Sequence, residues 1–290
     1  MSSEAFVVEA GTGSAQLLLG EVFRTLVSGE DSDGALGFVT MVGPAGRPIP
    51  MHKHGEAHDV FFCERGAIQV WFDGESRVLY PGDMASVPPG TLHAYRLLRP
   101  YSRSVGPITP GGWERFFAFV GTPYDGPAFP PEDHSPPPFA KFGAAEQQFD
   151  TSYDREAPYP DATDGPDDTL PGAPTPYVLK AGVGERYVHD GFVIRPLIGA
   201  AESGDAFSLD ELEGPRGAQL NARHGVLYVL DGALTVAGLT AGAGDCVWLP
   251  EGEHALEVTG AQARWLATHA PAVTESRGDA WPHAVFPAPR

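Results

Sequence analysis

The chain has 290 residues, with 19 Lys plus Arg against 38 Asp plus Glu, a formal net charge of −19. That surface suits neither nucleic acid nor anionic lipid, so no partner of either kind is expected, and the length allows two domains of ordinary size. The 36 glycines and 29 prolines favour short strands and turns over long helices, which points to an all-β fold.

The N-terminus, MSSEAFVVEAG, has no basic n-region or apolar h-region, and no later run approaches the ~20 apolar residues of a membrane span. A soluble cytoplasmic protein is therefore expected. The run Phe6-Val7-Val8-Glu9-Ala10-Gly11-Thr12-Gly13 returns as Tyr177-Val178-Leu179-Lys180-Ala181-Gly182-Val183-Gly184. Gly20, Val22, Arg24 and Leu26 match Gly191, Val193, Arg195 and Leu197 at the same offset. Farther on, Gly66 parallels Gly232, and Gly82-Asp83 with Pro88 and Gly90 parallels Gly244-Asp245 with Pro250 and Gly252. One duplicated β-unit accounts for all of these matches.

Between His52 and His93 the sequence carries its chemistry. Residues i and i+2 of a strand face the same way, so His52 and His54 can aim two imidazoles at one point. Asp59 opens the next strand, with Phe61 and Cys63 on its face and His58, Val60 and Phe62 on the other. Ile68 to Phe72 leads into Asp73-Gly74, a hairpin signal. After Gly82-Asp83 and the strand Met84 to Val87, Pro88-Pro89-Gly90 turns the chain so that His93 can return beside the first pair. Three imidazoles with at most one carboxylate and open positions suit Fe, Mn, Ni or Cu, and also catalytic zinc. Asp59 and His58 compete for the fourth place. The repeat argues against His58, because His224 holds the same place in the copy that lacks the histidine pair.

Residues 123–176 hold 13 prolines and read as an extended linker over the surface, with one helical pattern at 139–149. The expected organisation is thus 1–122, a metal-bearing unit; 123–176, the linker; and 177–290, a second unit. In that second unit a constant offset places Ala218, Leu220 and Gly225 opposite His52, His54 and Asp59, and only His254 survives, near the counterpart of His93. Cys63 and Cys246 lie in apolar runs and read as buried thiols. Trp113 to Val120 fits a strand or a short helix, and Glu114 and Arg115 read as surface or strand-end charges.

The stretch His52-Lys53-His54, the acidic residue, Gly66, and then Gly82-Asp83, Pro88, Gly90 and His93 is similar to the two cupin motifs. Over roughly residues 50–120 the chain resembles the first domain of the quercetin 2,3-dioxygenase family. The residues carrying that likeness are Phe61-Phe62-Cys63, Gln69-Val70-Trp71, Ser86-Val87-Pro88, Thr91-Leu92-His93 and the run from Pro110 to Phe117. The resemblance implies a bicupin, two double-stranded β-helix (jelly-roll) barrels, with the metal ligands kept only in the first. It also implies a metal-dependent dioxygenase that cleaves a flavonol or related aromatic enol, with O2 as co-substrate and a small aromatic molecule as partner. In that scheme His52, His54 and His93 hold one divalent transition metal per chain, with Fe, Mn, Ni or Co ahead of Cu or Zn. Asp59 removes the enolic proton, the heterocycle opens with loss of carbon monoxide, and Phe61, Tyr95 and Ile108 line the pocket. The family carries Glu where this chain has Asp59, one methylene shorter. Two alternatives follow: a metal cupin acting without O2 (isomerase, cyclase, decarboxylase or hydrolase), or a non-catalytic binding bicupin. Either a monomer or a homodimer is compatible with two fused barrels.

Overall fold

The computed structural model describes residues 4–130, 133, 135–273 and 279–280. Antiparallel strands dominate, and the helices among the described residues are Arg115–Val120, Phe139–Ala145 and Ala200–Ser203. None of them is long and apolar enough to cross a membrane.

The first barrel is made of two sheets. The larger runs Thr122–Pro123, Ser14–Leu18, Glu21–Val27, Gly37–Gly43, Ser102–Thr109, His58–Arg65, Met84–Val87 and Tyr177–Leu179. The smaller runs Ser152–Tyr153, His52–Lys53, His93–Leu97, Ile68–Phe72 and Glu75–Leu79. Asp73 and Gly74 both have positive φ (47° and 82°), the left-handed pair a type I′ hairpin needs. Ala237 and Gly238 repeat this turn in the second barrel (51° and 77°).

Strand His58–Arg65 shows why the pattern folds this way. It is buried along most of its length because both of its faces are covered. Cys63, with Phe61 packed alongside, belongs to the interior of the first barrel. Val60 and Phe62 face the opposite way, into a core shared with Leu209, Tyr228 and Trp248 of the second barrel. Burying each such large side chain contributes roughly 1.5–3 kcal/mol, so the two barrels are welded along this face.

The repeated N-terminal runs serve as a reciprocal clasp. Phe6–Val8 pairs with Cys246 to Trp248 of the second barrel, and Tyr177–Leu179 pairs with Met84 to Ser86 of the first. Each half of the chain thus lends its first strand to the other. The repeated Gly-Asp pairs lock the exchange. Asp245 Oδ1 accepts from the Ala10 N–H and Asp83 Oδ1 from the Ala181 N–H, both at 2.7 Å. Gly82 and Gly244 have φ of 92° and 87°, and a Cβ there would press on Ala181 and Ala10 at 2.8 and 3.0 Å.

Several expectations need correction. The helical pattern at 139–149 gives a helix only over Phe139–Ala145, with Phe142 buried and Phe139 exposed. Beyond it, the linker does more than cross the surface, because Ser152–Tyr153 adds a strand against His52–Lys53. Trp113 to Val120 resolves as the helix Arg115–Val120. Arg115 is exposed, but Glu114 is buried, and its carboxylate accepts from Gly29 N–H (2.8 Å) and Gly112 N–H (2.7 Å). Two backbone donors make that burial tolerable. Finally, His93 lies across from His52, whereas His254 lies across from Ala222. At the constant offset that matches Val87 to Leu249, His93 corresponds to Ala255, which lies across from Asn221, so the structural counterpart of His52 is Asn221 rather than Ala218. Asp59 and Gly225 also match, opposite Val87 and Leu249, so the second copy has a loop three residues shorter.

Candidate metal centre

His52 comes from a short strand flanked on both sides, His54 from the loop after it, Asp59 from the start of the next strand and His93 from the start of the strand that pairs with His52. All four are buried, and one ligand atom from each lies within 4.8 Å of all the others. Asp59 Oδ2 is 3.3 Å from His93 Nε2 and 3.4 Å from His54 Nε2. Donors held about 2.1 Å from one ion sit roughly 3–4 Å apart, so the two Asp59 distances match a shared cation.

The backbone sets the direction of each ring. Nδ1 of His52 donates to Pro50 O (2.9 Å), Nδ1 of His93 to Thr91 O (2.9 Å) and Nδ1 of His54 to Asp150 O (2.5 Å). With Nδ1 committed, the lone pair of every Nε2 points inward, the tautomer that metal-binding imidazoles need. His54 Nε2 and Asp59 Oδ1 are buried without hydrogen-bond partners. Electrostatics make the same demand. Burial resists ionisation of Asp59, but His54 and then His93 outweigh it and hold the carboxyl well below the usual range. Burial likewise opposes protonation of His54, yet the Asp59 carboxylate raises its pKa overall. The centre favours a positive charge, and a divalent ion fits the donor set.

His58 is not in this cluster. Burial pushes it down to about 4, its Nε2 meets Ser86 Oγ at 2.8 Å, and its ring packs against Phe207 of the second barrel. Strand alternation is the reason: one residue away from Asp59, it faces the inter-barrel core.

Phe61, Tyr95 and Ile108 all line one cavity with His52 and Asp59. The cavity is open in part to solvent. Its remaining walls are largely apolar, among them Phe23, Met41, Phe116 and Phe117.

Sequence reasoning missed the residues that brace the centre. Asp150, far along the linker, accepts from the N–H groups of Gly55 (2.7 Å), Glu56 (2.6 Å) and Ala57 (3.1 Å), fixing the loop between His54 and Asp59. Its carbonyl takes both His54 Nδ1 and Trp113 Nε1 (3.1 Å), and the Trp113 ring stands edge-on to His54 at 4.6 Å. Trp113 lay inside the run matched to the family, but nothing local marked Asp150. Asp150→Ala keeps the carbonyl that holds His54 but removes the carboxylate that fixes the loop, and should weaken metal binding by about tenfold, the low end of the cost of disturbing a ligand's outer support. Metal titration by calorimetry measures it, and unchanged affinity removes Asp150 from this role.

Residues 38–99 match a family model described as Cupin domain. Along most of its length the chain follows the Mn(II)-containing oxalate decarboxylase of Bacillus subtilis, with a TM-score of 0.60 at 16% identity, covering 95% of this chain and 79% of that one. The fold is a bicupin. Its curated relatives lie elsewhere in sequence: it is 37% identical to a quercetin 2,3-dioxygenase of Bacillus subtilis (strain 168), over 44% of this chain and 38% of that protein. It is 24% identical to a quercetin 2,3-dioxygenase of Aspergillus japonicus, over 64% of this chain and 61% of that protein. The matches thus span about two-fifths and three-fifths of those relatives. Among the described residues of this bicupin no second group of three ligating side chains converges.

Proposed function

We propose that this bicupin is a mononuclear metal dioxygenase that cleaves a flavonol or related aromatic enol with O2. The observation that carries the reading is the placement of four converging donors beside a cavity with aromatic and aliphatic walls. The 37% identity to a quercetin 2,3-dioxygenase over 127 residues supports it.

His52, His54 and His93 would hold the metal through Nε2, with Asp59 beside them. When bound, a divalent transition metal supplies Lewis acidity and a centre for dioxygen chemistry. The protein contributes the rest. Phe61, Ile108 and Trp113 confine a flat aromatic and exclude water. Asp59, whose carboxylate form a neighbouring dication would favour, accepts the proton of the enolic hydroxyl at Oδ1, the oxygen left without a partner. The resulting enolate is the electron-rich species that oxygen attacks.

The test is oxygen uptake by the metal-loaded protein with flavonols and other enolic aromatics. The expected result is uptake in step with substrate loss and no turnover under argon. Turnover without oxygen would replace this reading with Lewis-acid chemistry. Full metal occupancy with neither activity nor ligand binding would remove the enzymatic reading.

A further inference from the structure

The cavity has a second polar end that the chemistry above does not use. Glu21, at the start of the strand Glu21–Val27, is only 5% exposed and lines the cavity together with Tyr95. The Tyr95 hydroxyl donates to Glu21 Oε2 at 2.7 Å. The other oxygen, Oε1, makes no hydrogen bond among the described residues. The carboxyl stands in a largely apolar wall, tied by one oxygen and with the other open to something in the cavity that hydrogen-bonds to it.

Its position says what that something is. Tyr95 follows His93 by two residues on one strand, so it faces the same way about 7 Å farther along the barrel. Phe61, 5.4 Å from the Tyr95 ring and 6.4 Å from His93, bridges the interval. Glu21 also lines a broad outer groove, as do Leu19, Pro50 and Phe142, which all line the inner cavity too. Glu21 therefore stands where the cavity meets the outside. A flat molecule with its reacting end against His52 and Asp59 presents its remote end here.

We propose that the Glu21–Tyr95 pair is a specificity site that hydrogen-bonds a hydroxyl carried by the substrate on a ring remote from its enol. The proposal rests on the aromatic-enol reading above and narrows it to polyhydroxylated members of that class. The charge state of the pair suits the role. Burial pushes the Glu21 carboxyl up to about 8, against the pull of the Tyr95 hydrogen bond. At neutral pH it is then mainly an uncharged acid with an O–H to donate and a carbonyl to accept, able to engage a phenolic hydroxyl without repelling an enolate.

The experiment compares quercetin, which carries hydroxyls on its outer rings, with 3-hydroxyflavone, which carries only the enol, on the metal-loaded full chain. The unmutated protein should favour quercetin by about tenfold in kcat/KM, chiefly through KM, as expected for one net hydrogen bond in a dry site. In Glu21→Leu that ratio should fall to about one. In Glu21→Gln, which keeps a donor and an acceptor, most of it should remain. Melting temperature and metal content establish that each variant is folded. If Leu is not tolerated, Tyr95→Phe, which loosens the pair without removing volume, should lower the ratio instead. A purely structural tie would change stability and leave discrimination intact. A ratio unchanged in Glu21→Leu, or absent from the unmutated protein, overturns the proposal while leaving the dioxygenase reading in place. If the unmutated protein converts neither compound, that parent reading fails first and the proposal fails with it.

Discussion

His54→Ala is expected to end stoichiometric metal binding, while His58→Ala, four residues away, should leave it intact. Both side chains are buried histidines on neighbouring stretches of chain, which makes the contrast informative. His54 turns Nε2 toward Asp59, whereas His58 turns its own toward Ser86. Losing a direct ligand should cost more than the 10–100-fold typical of an outer partner, so affinity should fall by at least about a hundredfold. A second readout follows from mass action. A metal at a hundred times its dissociation constant stabilises the unmutated fold by about 2.7 kcal/mol, and that rise in melting temperature should vanish in His54→Ala. Because a proton favoured on His54 competes with the metal, affinity in the unmutated protein should also fall as pH drops through the His54 titration. Full occupancy in His54→Ala would remove His54 from the ligand set.

Asp59→Asn should keep most of the metal and lose turnover. The amide has the volume of the carboxyl, so the three imidazoles, each fixed by its own carbonyl, stay in place. What disappears is a base. A positioned general base contributes about 10²–10⁴-fold, and kcat should drop by that factor. Metal analysis on the same sample separates loss of the base from loss of the ion. If kcat stays within about threefold of the unmutated protein, well short of that range, the enolic proton leaves by another route.

The candidate site was legible to different depths. His52, His54, Asp59 and His93 could be read as a set because strand periodicity and turn residues are local signals. Phe61 and Ile108 followed from the family match and from facing alternation, and the structure brings both into the cavity. Glu114 read as a surface charge because its two backbone donors, Gly29 and Gly112, include one 85 residues away. Glu21 carried no signal at all, since a carboxylate at a strand start looks the same whether it meets water or a tyrosine hydroxyl.

By itself the sequence determined the duplicated β-architecture, the retained donors of the first copy and their loss from the second. Glycine turns, alternation and histidine spacing act over a few residues and leave their mark on the chain directly. Only the tertiary structure decided that the first strands are exchanged between barrels, that Asp150 braces the ligand loop across 95 residues, and that the cavity ends on Glu21. Those contacts depend on which distant backbone groups happen to meet, and hydrogen bonds of that kind impose no periodicity on the sequence that makes them.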